Sequence, residues 1–162
     1  MTIKIELLTV RIKIIKMKEI RTEIIINTSK EKVWNVLTNF REYPEWNPFI
    51  RSLEGQAVKD TRLVTTLQLE DRKPMVFKPI VTVLDELRKF EWLGTTPLNV
   101  VNGRHFFIVE EINEKKVKFI HGEQFTGILA RPFHKRLAEP TQRGFIEMNK
   151  ALKVRAEDLS DA

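Results

Sequence analysis

From Asn102 to Gly127 the chain reads NGRHFFIVEEINEKKVKFIHGEQFTG, two extended runs joined by a short polar turn. This hairpin signature constrains the fold more than any other stretch. With a three-residue turn at Asn113 to Lys115, Ile112 faces Lys116 and every pair of partners sums to 228. His105 then lies opposite Glu123, Phe107 opposite His121, and Val109 opposite Phe119. Side chains alternate between the faces of a strand. One face therefore gathers His105, Phe107, Val109, Phe119, His121, Glu123 and Phe125, while Phe106, Ile108 and Ile120 take the other. A two-residue turn would set His105 against Gly122 and send one strand's set to the opposite face.

The strands before the hairpin are shorter. Ile20 to Asn27 is a β-branched run suited to a strand. Arg51 to Lys59, Thr61 to Glu70, Met75 to Leu84 and Lys89 to Leu93 are further extended segments, with Pro74 and Pro79 marking an edge or a bulge. Trp92 to Asn102 reads as a loop over a cavity mouth. Two helices frame this run. Thr28-Ser29 offers an N-cap, with Thr28 to Glu31 completing a capping box, for a helix over about Lys30 to Asn39. Arg41 to Phe49 (REYPEWNPF) is a tight connector with at most one helical turn. At the C-terminal end, Phe133, Leu137, Thr141, Phe145, Met148 and Leu152 recur at helical spacing and form one apolar stripe. Pro132 suits a first turn, whereas Pro140 should kink or interrupt the helix.

A meander of strands buries one face only when something covers it, and the long amphipathic helix is the available cover. The expected architecture is α+β: a curved antiparallel sheet wrapped around a long C-terminal helix, with a pocket between them for a small apolar molecule. His134, beside Arg131, Lys135 and Arg136, is expected to be solvated.

At 162 residues the chain fits one domain. Met1 to Lys16 is expected to be an N-terminal extension, either a bulged strand or a basic segment in weak contact with a membrane surface. Residues 17–157 form the domain, and 158–162 a polar tail. The net charge of +6 is uneven: residues 1–21 carry six basic and two acidic residues, and the remainder is nearly balanced. Nucleic acid is therefore not an expected partner. With no cysteine and only three serines, none in a nucleophile motif, thiol and serine nucleophiles are excluded. The six glycines form no phosphate-binding or dinucleotide fingerprint. No apolar run approaches the roughly 20 residues of a membrane span, and a cytoplasmic protein is the expectation.

What remains for chemistry is His105, His121 and Glu123. In one reading they converge in the pocket, and one acts as general acid or base on a carbonyl substrate. In the other they hydrogen-bond one another and the backbone, giving the cavity one polar end. His121-x-Glu123 on a strand has no recognised metal spacing, so neither metal nor cofactor is expected. Apolar contact with a ligand is assigned to Trp46, Phe49, Trp92, Phe107, Phe119, Phe125, Phe145 and Met148.

The opening Thr28-Ser29-Lys30-Glu31-Lys32-Val33-Trp34, followed by Phe40, Tyr43, Pro44, Trp46, Asn47 and Pro48, resembles the START-like (SRPBCC) helix-grip superfamily. Gly103 to Phe107, His121 to Gly127 and Gly144 to Lys153 are similar to its polyketide cyclase/dehydrase-like bacterial members. The resemblance spans Met17 to Glu157 and implies the grip architecture. Such proteins include lipid carriers, receptors, cyclases and chaperone activators. The expected function is binding of a small hydrophobic, lipid- or polyketide-like molecule. The alternatives are a cyclase/dehydrase or isomerase using His–Glu acid–base chemistry, or a protein-interaction module.

Overall fold

The computed structural model describes residues 18–158, so what is expected of Met1 to Lys16 and of the tail beyond Asp158 lies outside the described residues. Strand β1 (Lys18–Ile26) leads into α1 (Lys30–Thr38), a 3-10 turn (Phe40–Glu42) and a four-residue helix α2 (Tyr43–Trp46). Six more strands precede the last: β2 (Ile50–Glu54), β3 (Val64–Leu67), β4 (Met75–Phe77), β5 (Ile80–Asp85), β6 (Lys89–Thr95) and β7 (Asn102–Asn113). Strand β8 (Lys116–Thr126) and helix α3 (Ala130–Glu157) complete the chain. The sheet order is β1-β8-β7-β6-β5, with β2-β3-β4 forming a second sheet. The two sheets are joined by the Arg62–Ile80 bridge.

The α1 cap is Ser29, whose side chain accepts from Lys32 N at 3.4 Å, rather than the box expected from Thr28. Met75 to Leu84 is two strands and not one, broken at Lys78-Pro79, because proline cannot donate to a ladder. Strand β6 runs on to Thr95, so the expected loop from Trp92 shrinks to a 3-10 turn at Pro97–Asn99. The connector is longer than one helical turn, since the 3-10 turn runs directly into α2. Pro140 does not interrupt α3, which is continuous over 28 residues. One missing N–H costs less than releasing Leu137, Thr141 and Phe145, which lie buried on either side.

The hairpin turn also differs from expectation. Asn113 pairs with Lys116, so the turn has two residues, and Asn113 Oδ1 accepts from Lys115 N at 3.0 Å. Alone, that shorter turn would set His105 against Gln124. A bulge between Glu111 and Asn113 takes up Ile112 and returns Glu111 to Val117, after which His105 faces Glu123 and Phe107 faces His121. The driving force is burial: Phe107, Val109, Val117 and Phe119 are all buried, and a slip would turn one strand's share outward. Along α3, Leu137, Phe145, Met148, Leu152 and Ala156 are buried against the sheet, while Phe133 is partly buried. Each large apolar side chain contributes about 1.5–3 kcal/mol.

Candidate functional site

His105 and His121 lie deep between sheet and helix, 1% and 0% exposed. Strand alternation puts both on the helix-facing side, and the register makes them diagonal neighbours on β7 and β8. Their Nε2 atoms are 2.8 Å apart, so one ring donates and the other accepts. Which one follows from the surroundings. The Thr22 hydroxyl donates to the His121 carbonyl at 3.3 Å, so its oxygen is free to accept from Asn149 Nδ2 at 2.9 Å. That turns Asn149 Oδ1 toward His121 Nδ1, 3.0 Å away, and a carbonyl oxygen only accepts. His121 therefore carries its proton on Nδ1 and accepts at Nε2. His105 donates from Nε2, and its Nδ1 lies 3.9 Å from Glu123 Oε2.

Burial pushes the His121 pKa well below its ordinary 6.5, the neighbouring His105 adds to the effect, and the Asn149 hydrogen bond opposes it. His121 is thus a neutral imidazole fixed in one tautomer. Glu123 keeps a side-chain exposure of 16% and is the wet end of the chain. Among the described residues, no group of three or more His, Cys, Asp or Glu is placed to hold a metal ion.

Aromatic rings close around the pair. Phe145 stacks on His121 with centroids 3.7 Å apart, and Trp92 stacks on His105 at 4.7 Å. Phe107 lies within 5 Å of both imidazoles, and Phe49 within 6.5 Å of both. Buried Asn47 aims Phe49 inward, its Oδ1 accepting from the backbone N–H groups of Phe49 and Ile50 at 3.0 and 2.8 Å. Gly144 leaves Phe49 its space, since a Cβ there would come within 2.5 Å of the ring. Beyond Phe49 a concavity of about 510 Å³ opens to the surface, lined by Pro48, Gln68, Arg143 and Glu147 among others.

At the level of the histidines the interior is therefore filled by rings. One residue pair further toward the open end, Gly94 faces Gly103, and the sheet floor carries no side chain. A Cβ at Gly94 would meet nothing nearer than the Gly103 carbonyl oxygen at 3.8 Å, whereas one at Gly103 would touch Glu123 Oε1. The carboxylate thus reaches out over a bare patch of sheet.

Of the residues assigned from sequence, Phe49, Trp92, His105, Phe107, His121 and Phe145 form one cluster, with Glu123 at its edge. Phe119 packs behind Phe107 toward the turn, and Met148 is buried one helical turn beyond Phe145. Phe125 sits at the open end against Phe133, with His134 half-buried beside it. Trp46 lies apart, packed edge-on against Tyr43. Sequence reasoning missed Thr22 and Asn149. Asn149 did carry a signal, because it falls on the stripe of Phe145, Met148 and Leu152.

A curved antiparallel sheet closed by a C-terminal helix over a polar pair defines a helix-grip protein of the START-like (SRPBCC) superfamily. The chain belongs to the family described as polyketide cyclase / dehydrase and lipid transport, whose model matches residues 17–157. Among solved structures it is similar to the Zhui aromatase/cyclase from Streptomyces sp. R1128, with 12% identity over 87% of this chain and 94% of that one and a TM-score of 0.70. Norcoclaurine synthase from Thalictrum flavum, in complex with dopamine and hydroxybenzaldehyde, matches with 18% identity, 90% of each chain and a TM-score of 0.66. A START superfamily protein from Mycobacterium smegmatis matches with 18% identity, 88% of this chain, 99% of that one and a TM-score of 0.66. Among curated proteins, none matches the chain.

Proposed function

We propose that the chain binds a small, largely apolar molecule at the open end of the grip, over Gly94 and Gly103, with a hydroxyl or carbonyl group directed at Glu123 and His105. The supporting observation is the contrast along the concave face. Rings fill it around the histidines, while the neighbouring Gly94–Gly103 pair leaves bare backbone beside a carboxylate. An apolar floor with a few convergent polar groups is the usual composition of a small-molecule site.

Trp92, stacked on His105 next to this floor, provides the readout. Titration with a panel of aromatic polyketides and fatty acids is expected to change tryptophan emission, and Gly94→Leu is expected to abolish the response while the melting temperature holds. A panel without response, together with native mass spectrometry finding no co-purified molecule, would overturn the reading.

A second reading is favoured by the tautomer chain. With its Nε2 proton committed to His121, His105 has only Nδ1 through which to exchange a proton with Glu123 or a bound molecule. That pair is suited to moving a proton on a bound carbonyl compound, the kind of work the names aromatase/cyclase and norcoclaurine synthase imply for the similar structures. If so, Glu123→Gln lowers turnover and leaves the affinity measured by Trp92 emission unchanged. A parallel loss of both would remove the catalytic reading and retain the binding one.

A further inference from the structure

At the open end of the grip two loops carry apolar side chains into solvent. Leu98 is 95% exposed, Ile128 82% and Leu129 50%. The loops are one structural unit, because Leu129 N donates to Val100 O at 3.1 Å and Gly127 packs on the Asn99 and Val100 carbonyls. Gly127 adopts φ +106°, and a Cβ there would come within 2.5 Å of Val100 O. Leu98 and Asn99 both hold left-handed backbone, φ 57° and 52°, which costs energy in a leucine. An arrangement that strains the backbone while holding a leucine in water calls for an apolar partner.

The chemistry around these side chains selects the partner. Helix α3 starts immediately after them at Ala130, and Arg131, Lys135 and Arg136 are exposed on its first two turns. Helical side chains lean toward the N-terminus, here toward the apolar tip, and the helix dipole adds positive potential at the same end. None of the three cations forms an ion pair among the described residues. No acidic residue occurs in 95–109 or in 124–138. Aliphatic tips ringed by unneutralised cations match the acyl boundary and the phosphate layer of an anionic bilayer. Nucleic acid fits less well, since Leu98, Ile128 and Leu129 offer no aromatic face for a base to stack on.

We propose that this end of the grip is a docking surface for anionic membrane, Leu98, Ile128 and Leu129 entering the acyl boundary and Arg131, Lys135 and Arg136 meeting lipid phosphates. The surface is independent of whether the grip holds a ligand. It is also distinct from residues 1–16, whose basic character offers a competing route to the same lipid.

Flotation of the full chain with phosphatidylcholine/phosphatidylglycerol vesicles, and with phosphatidylcholine alone, tests the proposal. The protein should float with the anionic vesicles and be released as salt rises. Leu98→Asp combined with Ile128→Asp should lower partitioning at least about tenfold. Changing Arg131, Lys135 and Arg136 to Gln should cost about fivefold for each charge removed and erase the preference for phosphatidylglycerol. Val76→Asp, at another exposed apolar position, should float like the parent. Leu98→Ser replaces the double variant if that one melts early. A parent that stays unbound, a Leu98 variant that floats as the parent does, or a tip that instead binds an RNA oligonucleotide or a second copy of the chain would each overturn the proposal.

Discussion

The two faces of β6, β7 and β8 each bury polar groups, and they solve the problem in opposite ways. On the concave face His121 is neutral, and the Thr22–Asn149–His121–His105 chain passes from one donor to one acceptor at each step. On the convex face Glu91 is only 2% exposed yet charged, held by Arg104 at 2.7 Å, Lys89 at 2.7 Å and Thr82 at 2.7 Å. Burial acts to raise the Glu91 pKa, but hydrogen bonds from Lys89, Thr82 and Arg104 together hold it below the ordinary value. A charge is tolerated where half-exposed cations can reach it from the rim. Under the helix, where no cation among the described residues reaches it, His121 is held by hydrogen bonds as an uncharged ring. The inner face is thereby left with a hydrogen-bonded chain of rings and amide, and the outer face with a structural clamp.

Phe107→Asp would break the comparison most severely. It sets a carboxylate on the concave face at a position 0% exposed, within 5 Å of both imidazoles and with no cation among the described residues to pair with it. The whole stability of a domain, on the order of 5–15 kcal/mol, is at stake, and the variant is expected to show no cooperative thermal transition by circular dichroism. A folded Phe107→Asp variant with native-like amide spectra would show that the concave face tolerates a charge as the convex face does.

Asn149→Ala comes next. It leaves the His121 Nδ1–H without an acceptor and a void beside Phe145, for a loss of about 3 kcal/mol by urea denaturation. The third effect depends on pH. Unfolded His121 takes up a proton below its ordinary 6.5, while the buried ring resists doing so until far lower. The unfolded state then binds more protons, and stability falls on acidification by about 1.4 kcal/mol per unit below pH 6.5. Stability should be level above that pH, and His121→Phe should remove this contribution to the slope.

Smallest is Glu91→Met. Its partners Arg104 and Lys89 are 46% and 35% exposed and return to water, so about 1 kcal/mol or less is expected, declining further with salt. A carboxylate with a depressed pKa stabilises above its unfolded value and loses that contribution as pH falls. The Glu91 contribution should therefore fade only below about pH 4.5, well under the histidine window. A Glu91→Met cost exceeding that of Asn149→Ala would reverse the ranking of the two faces.

Alternation along Phe107–Val109 and Phe119–His121 determined which residues of the hairpin share a face, and the stripe from Leu137 to Leu152 determined what covers them. Both are local periods, and burial enforces them whatever the turn does. Tertiary structure alone decided the rest. The length of the turn was not legible, because the bulge at Ile112 is chosen by packing along the whole hairpin. Phe49 depends on Asn47 to aim it and on Gly144, far along the chain, to leave it room. The proton arrangement at His105 is set by Asn149, 28 residues from His121, and by Thr22, 127 residues from Asn149. A hydrogen bond fixes a tautomer only when its partner is in place, and contacts of that range carry no periodic mark in the chain.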